Sequence, residues 1–156
     1  MNGCLFCKFV RGEAPHFKIW EDAKHLAFLT PFPNTPGFSV VITKEHQESY
    51  GFAVPPSVLT ELILAARQVA QRIDKNLGVA RTGLIMEGYG INHLHVKLVP
   101  MHGIDQVEWQ PINSNDRTFY PRYIGMLSSN DGPRMPDAEL ETIAAKIRGE
   151  ATKTGK

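Results

Sequence analysis

The chain has 156 residues, 42% of them hydrophobic and 21% charged, the make-up of one ordinary globular domain and not of a fibrous or disordered polymer. Its formal net charge of +1 provides no extended cationic field, which counts against bulk nucleic-acid binding but not against a small nucleotide. The start, Met1-Asn2-Gly3-Cys4, lacks the basic segment and apolar run of a secretory signal, and no later run is apolar enough to span a bilayer. A cytoplasmic location without membrane contact is therefore expected.

The only two cysteines come first, as Cys4-x-x-Cys7. In a reducing compartment that spacing favours metal or redox chemistry over a long-range disulfide. Residues 17–20 and 25–29 then read as two short strands joined by the polar turn 21–24, a hairpin. Pro31, Pro33, Asn34, Pro36 and Gly37 break both ladder and helix before a third strand at 38–42. From Val58 to Leu77, apolar residues including Leu59, Leu62, Ile63, Ala66, Val69, Ala70 and Ile73 recur at helical spacing, with Arg67, Gln71 and Lys75 opposite. Ser57 is positioned to cap this long helix and Gly78 to end it in a left-handed turn.

Two further strands follow at 82–86 and 91–99, the second stopped by Pro100. Residues 123–127 suggest one more strand, and Asp137 can cap a last helix whose Leu140, Ile143, Ala144 and Ile147 form one face. Strands, a long helix in the middle and a helix at the end predict an α+β fold with an antiparallel sheet of about five strands. One domain is expected over 1–149, with 150–156 as a flexible tail.

Side chains alternate along a strand, so His93, His95 and Lys97 are expected on one face and Leu94, Val96 and Leu98 on the other. The apolar face can pack on the long helix while the basic face looks into a cleft. The competing reading is a solvated strand face with two surface histidines. For the cysteines it is a free dithiol.

The string from Asn92 to Pro100, Asn-His-Leu-His-Val-Lys-Leu-Val-Pro, resembles the signature of the histidine triad (HIT) family. So, in order and spacing, do Cys4-Leu5-Phe6-Cys7-Lys8, Gly12-Glu13-Ala14-Pro15, Trp20-Glu21-Asp22, Phe28-Leu29, Pro33-x-x-Pro36-Gly37 and Ile42-x-Lys44-x-His46. The likeness covers roughly residues 4–103. It implies a HIT-like fold and a nucleotide hydrolase or nucleotidyl transferase. In such an enzyme His95 attacks an α-phosphate and forms a covalent nucleotidyl-histidine. Neutral imidazole suits that role, and a backbone carbonyl holding its other nitrogen would aim the lone pair at phosphorus. A nucleotide-binding regulatory module with little turnover is the alternative.

The chain departs from the family pattern at several positions. Lys97 stands where a third histidine is usual, and its ammonium can stabilise phosphoryl oxygens, which predicts a more cationic site. Gly90 replaces a serine or threonine, Thr30 a ribose-binding aspartate, and Met86 an asparagine. Gly90, Asn92, Leu29, Thr30 and Phe6 are the candidate nucleotide- and phosphate-binding residues, with Phe38 a further possible pocket wall. The resemblance also implies a homodimer joined through the long helix and a continuous sheet. Cys4, Cys7, His46 and His93 are the candidate ligands of a structural Zn²⁺, matching in order those of zinc-binding family members. His16, His25 and His102 read as surface or strand-edge groups.

Overall fold

The computed structural model describes residues 3–104, 109–126, 136 and 138. The chain divides into two compact units, Met1–Trp109 and Gln110–Lys156. The first contains, in order, helix α1 (Leu5–Val10), strands β1 (Phe17–Glu21), β2 (His25–Leu29) and β3 (Ser39–Thr43), helix α2 (Pro56–Leu77), and strands β4 (Thr82–Ile85) and β5 (His95–Pro100).

The strands form one sheet in the order β1-β2-β3-β5-β4, antiparallel throughout. Branched and aromatic residues fill β2 and β3, and the two-residue period divides them between opposite faces. Ala27, Val41, Leu94, Val96 and Leu98 pack with Leu62, Ala65, Ala66, Val69 and Ile73 of α2 in one buried cluster. Leu26, Phe28, Val40 and Ile42 point the other way and bury Phe6 of α1 in a second. The sheet therefore has a helix-backed face and an α1 face, and register assigns residues to each: Ile42 lies opposite His95, and Val40 opposite Lys97.

The long helix is where its periodicity predicts, but it begins differently. Pro55 precedes it and Pro56 is its first residue, with no side-chain cap, so Ser57 sits inside the first turn and does not cap it. Proline suits this position because its missing N–H would have had no helical partner. Val58 and Leu59 N–H both donate to the Pro55 carbonyl, at 3.0 and 3.2 Å. At the other end Gly78 takes the left-handed conformation at φ 65° and donates to the Asp74 carbonyl, as expected.

The Cys4-x-x-Cys7 segment opens a six-residue helix, with Cys4 as its N-cap, whose i, i+3 spacing brings the two residues to one side. Two local expectations need correction. The strand expected over 91–99 begins only at His95, since 91–94 bend, the His93 N–H donating to the Ile91 carbonyl at 2.8 Å. Alternation nevertheless persists through the bend, because Leu94 reaches the helix-side core. Residues 123–126 of the second unit are not a strand, and 110–126 contain neither helix nor strand. Apart from Ala138, which is helical, the helix expected from Asp137 lies outside the described residues. No described helix is long and apolar enough to cross a membrane.

Leu62 has no exposed surface and sits at the centre of the helix-side cluster. Leu62→Ala should lower the unfolding free energy by about 2–5 kcal/mol, through lost transfer energy plus a residual cavity. Denaturant titration at unchanged m value checks this.

Candidate active site and metal centre

The amino-terminal helix, the segment after β3 and the bend before β5 converge on four donors. Cys4 Sγ lies 3.4 Å from His93 Nδ1, Cys7 Sγ 3.6 Å from the same nitrogen, and Cys7 Sγ 3.3 Å from His46 Nδ1. All four donor atoms fall within 4.8 Å of one another. A tetrahedron with metal–sulfur bonds near 2.3 Å and metal–nitrogen bonds near 2.0–2.1 Å has edges of about 3.3–3.8 Å. The sulfur–nitrogen separations thus fit a closed thiolate–imidazole site.

Hydrogen bonding selects the donor nitrogen of His93. Its Nε2 is 2.7 Å from the Thr43 carbonyl, and a carbonyl can only accept, so Nε2 carries the proton and Nδ1 turns a lone pair toward the sulfurs. Burial holds this imidazole below its ordinary pKa and so favours the neutral ring that a metal requires. Burial, and then the neighbouring Cys4, push the Cys7 thiol up. A bound cation would reverse that and draw off the proton.

Two residues on, His95 has the opposite tautomer. Its Nδ1 lies 2.7 Å from the His93 carbonyl and donates to it, which leaves Nε2 with the lone pair. Although His95 is only 4% exposed, its Nε2 has no partner among the described residues, where no buried side-chain nitrogen or oxygen is left unpaired. Nε2 therefore opens to solvent. The sheet explains how: β4 ends at Ile85, opposite Lys97, so His95 has a strand neighbour only on the β3 side. Phe6 packs edge-on to both imidazoles, with centroids 5.7 Å from His93 and 5.5 Å from His95.

Lys97 shares the His95 face, but it is not a lone cation. Its ammonium contacts Glu87, whose side chain is 10% exposed against 29% for that of Lys97. The paired carboxylate offsets part of the charge that the histidine-to-lysine replacement adds. Burial meanwhile pushes the Lys97 amine below its ordinary pKa.

The remaining candidates separate. Phe6 belongs to the site but is buried among Leu26, Phe28, Val40 and Ile42, a packing wedge as much as a wall. Asn92 accepts from the Ser49 N–H at 2.9 Å through Oδ1, tying the bend to the segment after β3. Gly90 is exposed with φ 93° in that stretch, with open space around it. Thr30 Oγ1 accepts from the Phe32 N–H at 3.2 Å in a local turn. Leu29, offered as a pocket wall, faces the other way: it lines a groove with Trp20, Val69 and Ile73 on the helix-backed side and does not share a face with His95. Glu87 was not singled out from sequence. Phe28 was quoted only within Phe28-Leu29; its ring meets Phe6 edge-on at 5.4 Å, and alternation with Leu29 was the available signal for its face. Of the blander histidines, His25 pairs with Asp22 at 3.1 Å and His102 lies 2.9 Å from the Pro36 carbonyl, whereas His16 stacks on Phe9 at 5.2 Å.

Comparison with known proteins bears on this arrangement. Residues 11–104 match the HIT domain model. Adenylylsulfatase HINT3 of Arabidopsis thaliana is 32% identical over 104 residues, 64% of this chain but only 52% of the Arabidopsis protein, so the chain spans about half of that relative. An uncharacterized 16.1 kDa HIT-like protein of Mycoplasma pneumoniae is 30% identical over 106 residues, 65% of this chain and 73% of that protein. Among solved structures, SMU.412c from Streptococcus mutans UA159 matches with a TM-score of 0.68 and 27% identity, over 96% of this chain and 85% of that one. A Zn-bound histidine triad family protein from Mycobacterium smegmatis has a TM-score of 0.62 over 72% of this chain and 85% of its own, and its 24% identity speaks for the fold alone. The matched stretch exceeds half the chain and contains His46, His93, His95 and Lys97 together with the five-stranded antiparallel sheet and the long helix that backs it, and the chain belongs to the HIT domain family.

Proposed function

We propose that this chain is a nucleotide hydrolase or nucleotidyl transferase that acts at the α-phosphate of a nucleoside phosphate or dinucleoside polyphosphate. One observation carries the reading: His95 Nδ1 is held by the His93 carbonyl, which leaves Nε2 as an open lone pair at a notch in the sheet. Nε2 forms a bond to phosphorus while the bond to the leaving-group oxygen breaks, giving a nucleotidyl-imidazole. Water or a second acceptor then takes the nucleotidyl group and frees Nε2. The proton stays on Nδ1, and the His93 carbonyl that accepts its hydrogen bond stabilises the positive charge on the ring. Lys97 faces the developing charge on the phosphoryl oxygens, with the main chain around Gly90 and Asn92 at the entrance.

Cys4, Cys7, His46 and His93 would hold a structural Zn²⁺, joining α1 to the bend that carries His95. The support is the donor set and its spacing. Bound there, the ion supplies cross-linking, and the chemistry stays with His95.

Incubation with labelled nucleotides should trap an adduct on the wild type under alkaline denaturing conditions and none on His95→Ala. The panel covers dinucleoside polyphosphates, phosphoramidates, sugar nucleotides and, given the activity named for the Arabidopsis relative, adenylyl sulfate. His95→Ala should lower turnover on the order of 10³-fold or more, and equal turnover by both proteins ends the proposal. Nucleotide affinity without any turnover would favour a regulatory module instead.

Elemental analysis should find about one zinc per chain. Cys7→Ser should lose it and melt at lower temperature, whereas His95→Ala should keep it. Zinc in the Cys7→Ser protein at wild-type level would sink the assignment. The same reading includes a homodimer built through the long helix and the sheet, and light scattering should return twice the chain mass.

A further inference from the structure

We propose that Glu87 is the positioning residue for Lys97, so that the position where the family pattern has a third histidine acts here as an oriented ion pair. This inference rests on the function proposed above. Lys97 lies two residues beyond His95 on the same face of β5, about 7 Å along the strand. Across the sheet it faces Val40 on one side and Ile85 on the other, and neither offers a polar atom from its side chain. Glu87 comes from the irregular stretch after β4 and is its only side-chain partner among the described residues.

Glu87 is itself anchored. The next residue, Gly88, has φ 71°, and a Cβ there would come 2.9 Å from the Ser49 carbonyl oxygen, so only glycine fits. Ser49 Oγ donates to the Gly88 carbonyl at 2.7 Å. The carboxylate is therefore carried on a fixed main chain, and it constrains a four-carbon side chain that would otherwise sample many rotamers. An ammonium has three N–H donors, so with one given to Glu87 two remain for phosphoryl oxygens. A carboxylate in contact also favours the charged amine against the opposing effect of burial.

The test is a double-mutant cycle on the full chain, read on the 4-nitrophenyl ester of AMP and on AMP binding by calorimetry. Glu87→Gln should lower kcat by about 10–100-fold with KM within about threefold, and Glu87→Asp should recover much of it. Lys97→Met should cost a similar factor, and in the Lys97→Met background Glu87→Gln should add nothing. Losses that multiply in the double variant, or an unchanged Glu87→Gln protein, overturn the inference. A Glu87→Gln protein damaged in its folding would lose kcat in both backgrounds and so falls under the overturning result. In a wild type that binds AMP without turnover the same cycle is read on the AMP dissociation constant: there the covalent mechanism fails while the pair is still judged by non-additivity. A wild type that neither binds AMP nor turns over the ester overturns both.

Discussion

Two imidazoles only two residues apart present opposite nitrogens because each gives a different N–H to a main-chain carbonyl. His93 donates from Nε2 to Thr43, so its Nδ1 faces the sulfurs. His95 donates from Nδ1 to His93, so its Nε2 faces outward. A neutral imidazole has one donor and one acceptor, and fixing one fixes the other. The His93 peptide is the joint between the two arrangements: its side chain lies among the metal-type donors and its carbonyl orients the next ring. Whatever displaces that backbone moves both.

The fold holds the joint from several directions. Leu94 anchors its far side in the helix-backed core with no exposed surface. Its N–H donates to the Gln47 carbonyl at 2.9 Å, and Asn92 accepts from the N–H of Ser49, two residues beyond Gln47, so the bend is sewn to the segment after β3. Phe6 fills the space between the two rings on the opposite face. Stiffness of this kind suits the nucleophilic role proposed for His95, since small misplacement is costly in rate.

Much of this was legible in the sequence, and the remainder was hidden for physical reasons. The helix at Pro56–Leu77 announces itself because its buried residues, from Leu62 to Ile73, recur at helical spacing over about three turns. The family resemblance implied Cys4, Cys7, His46 and His93 as a donor set, and strand alternation put His95 beside Lys97. The helix at Leu5–Val10 is too short for periodicity to register. Ser57 looked like a cap because proline's advantage lies in a donor it lacks, a weaker signal than a hydroxyl. Leu29 was misplaced because β2 is buried on both faces, so its hydrophobicity does not reveal which way each residue points. Glu87 could not be paired with Lys97 from spacing, since the contact depends on how an irregular stretch returns across the strand end.

The two borders of the sheet are unlike. On β1, Lys18 and Glu21 pair at 2.5 Å and the register slips between Lys18 and Trp20, so that border carries charge and a bulge. Both features discourage a foreign strand from adding there. The opposite border, β4, reads Thr-Gly-Leu-Ile, with no charge within it and Leu84 45% exposed. Growth of the sheet by strand addition is thus directional: β1 is guarded, and among the described residues the β4 border is the one whose chemistry tolerates a neighbour.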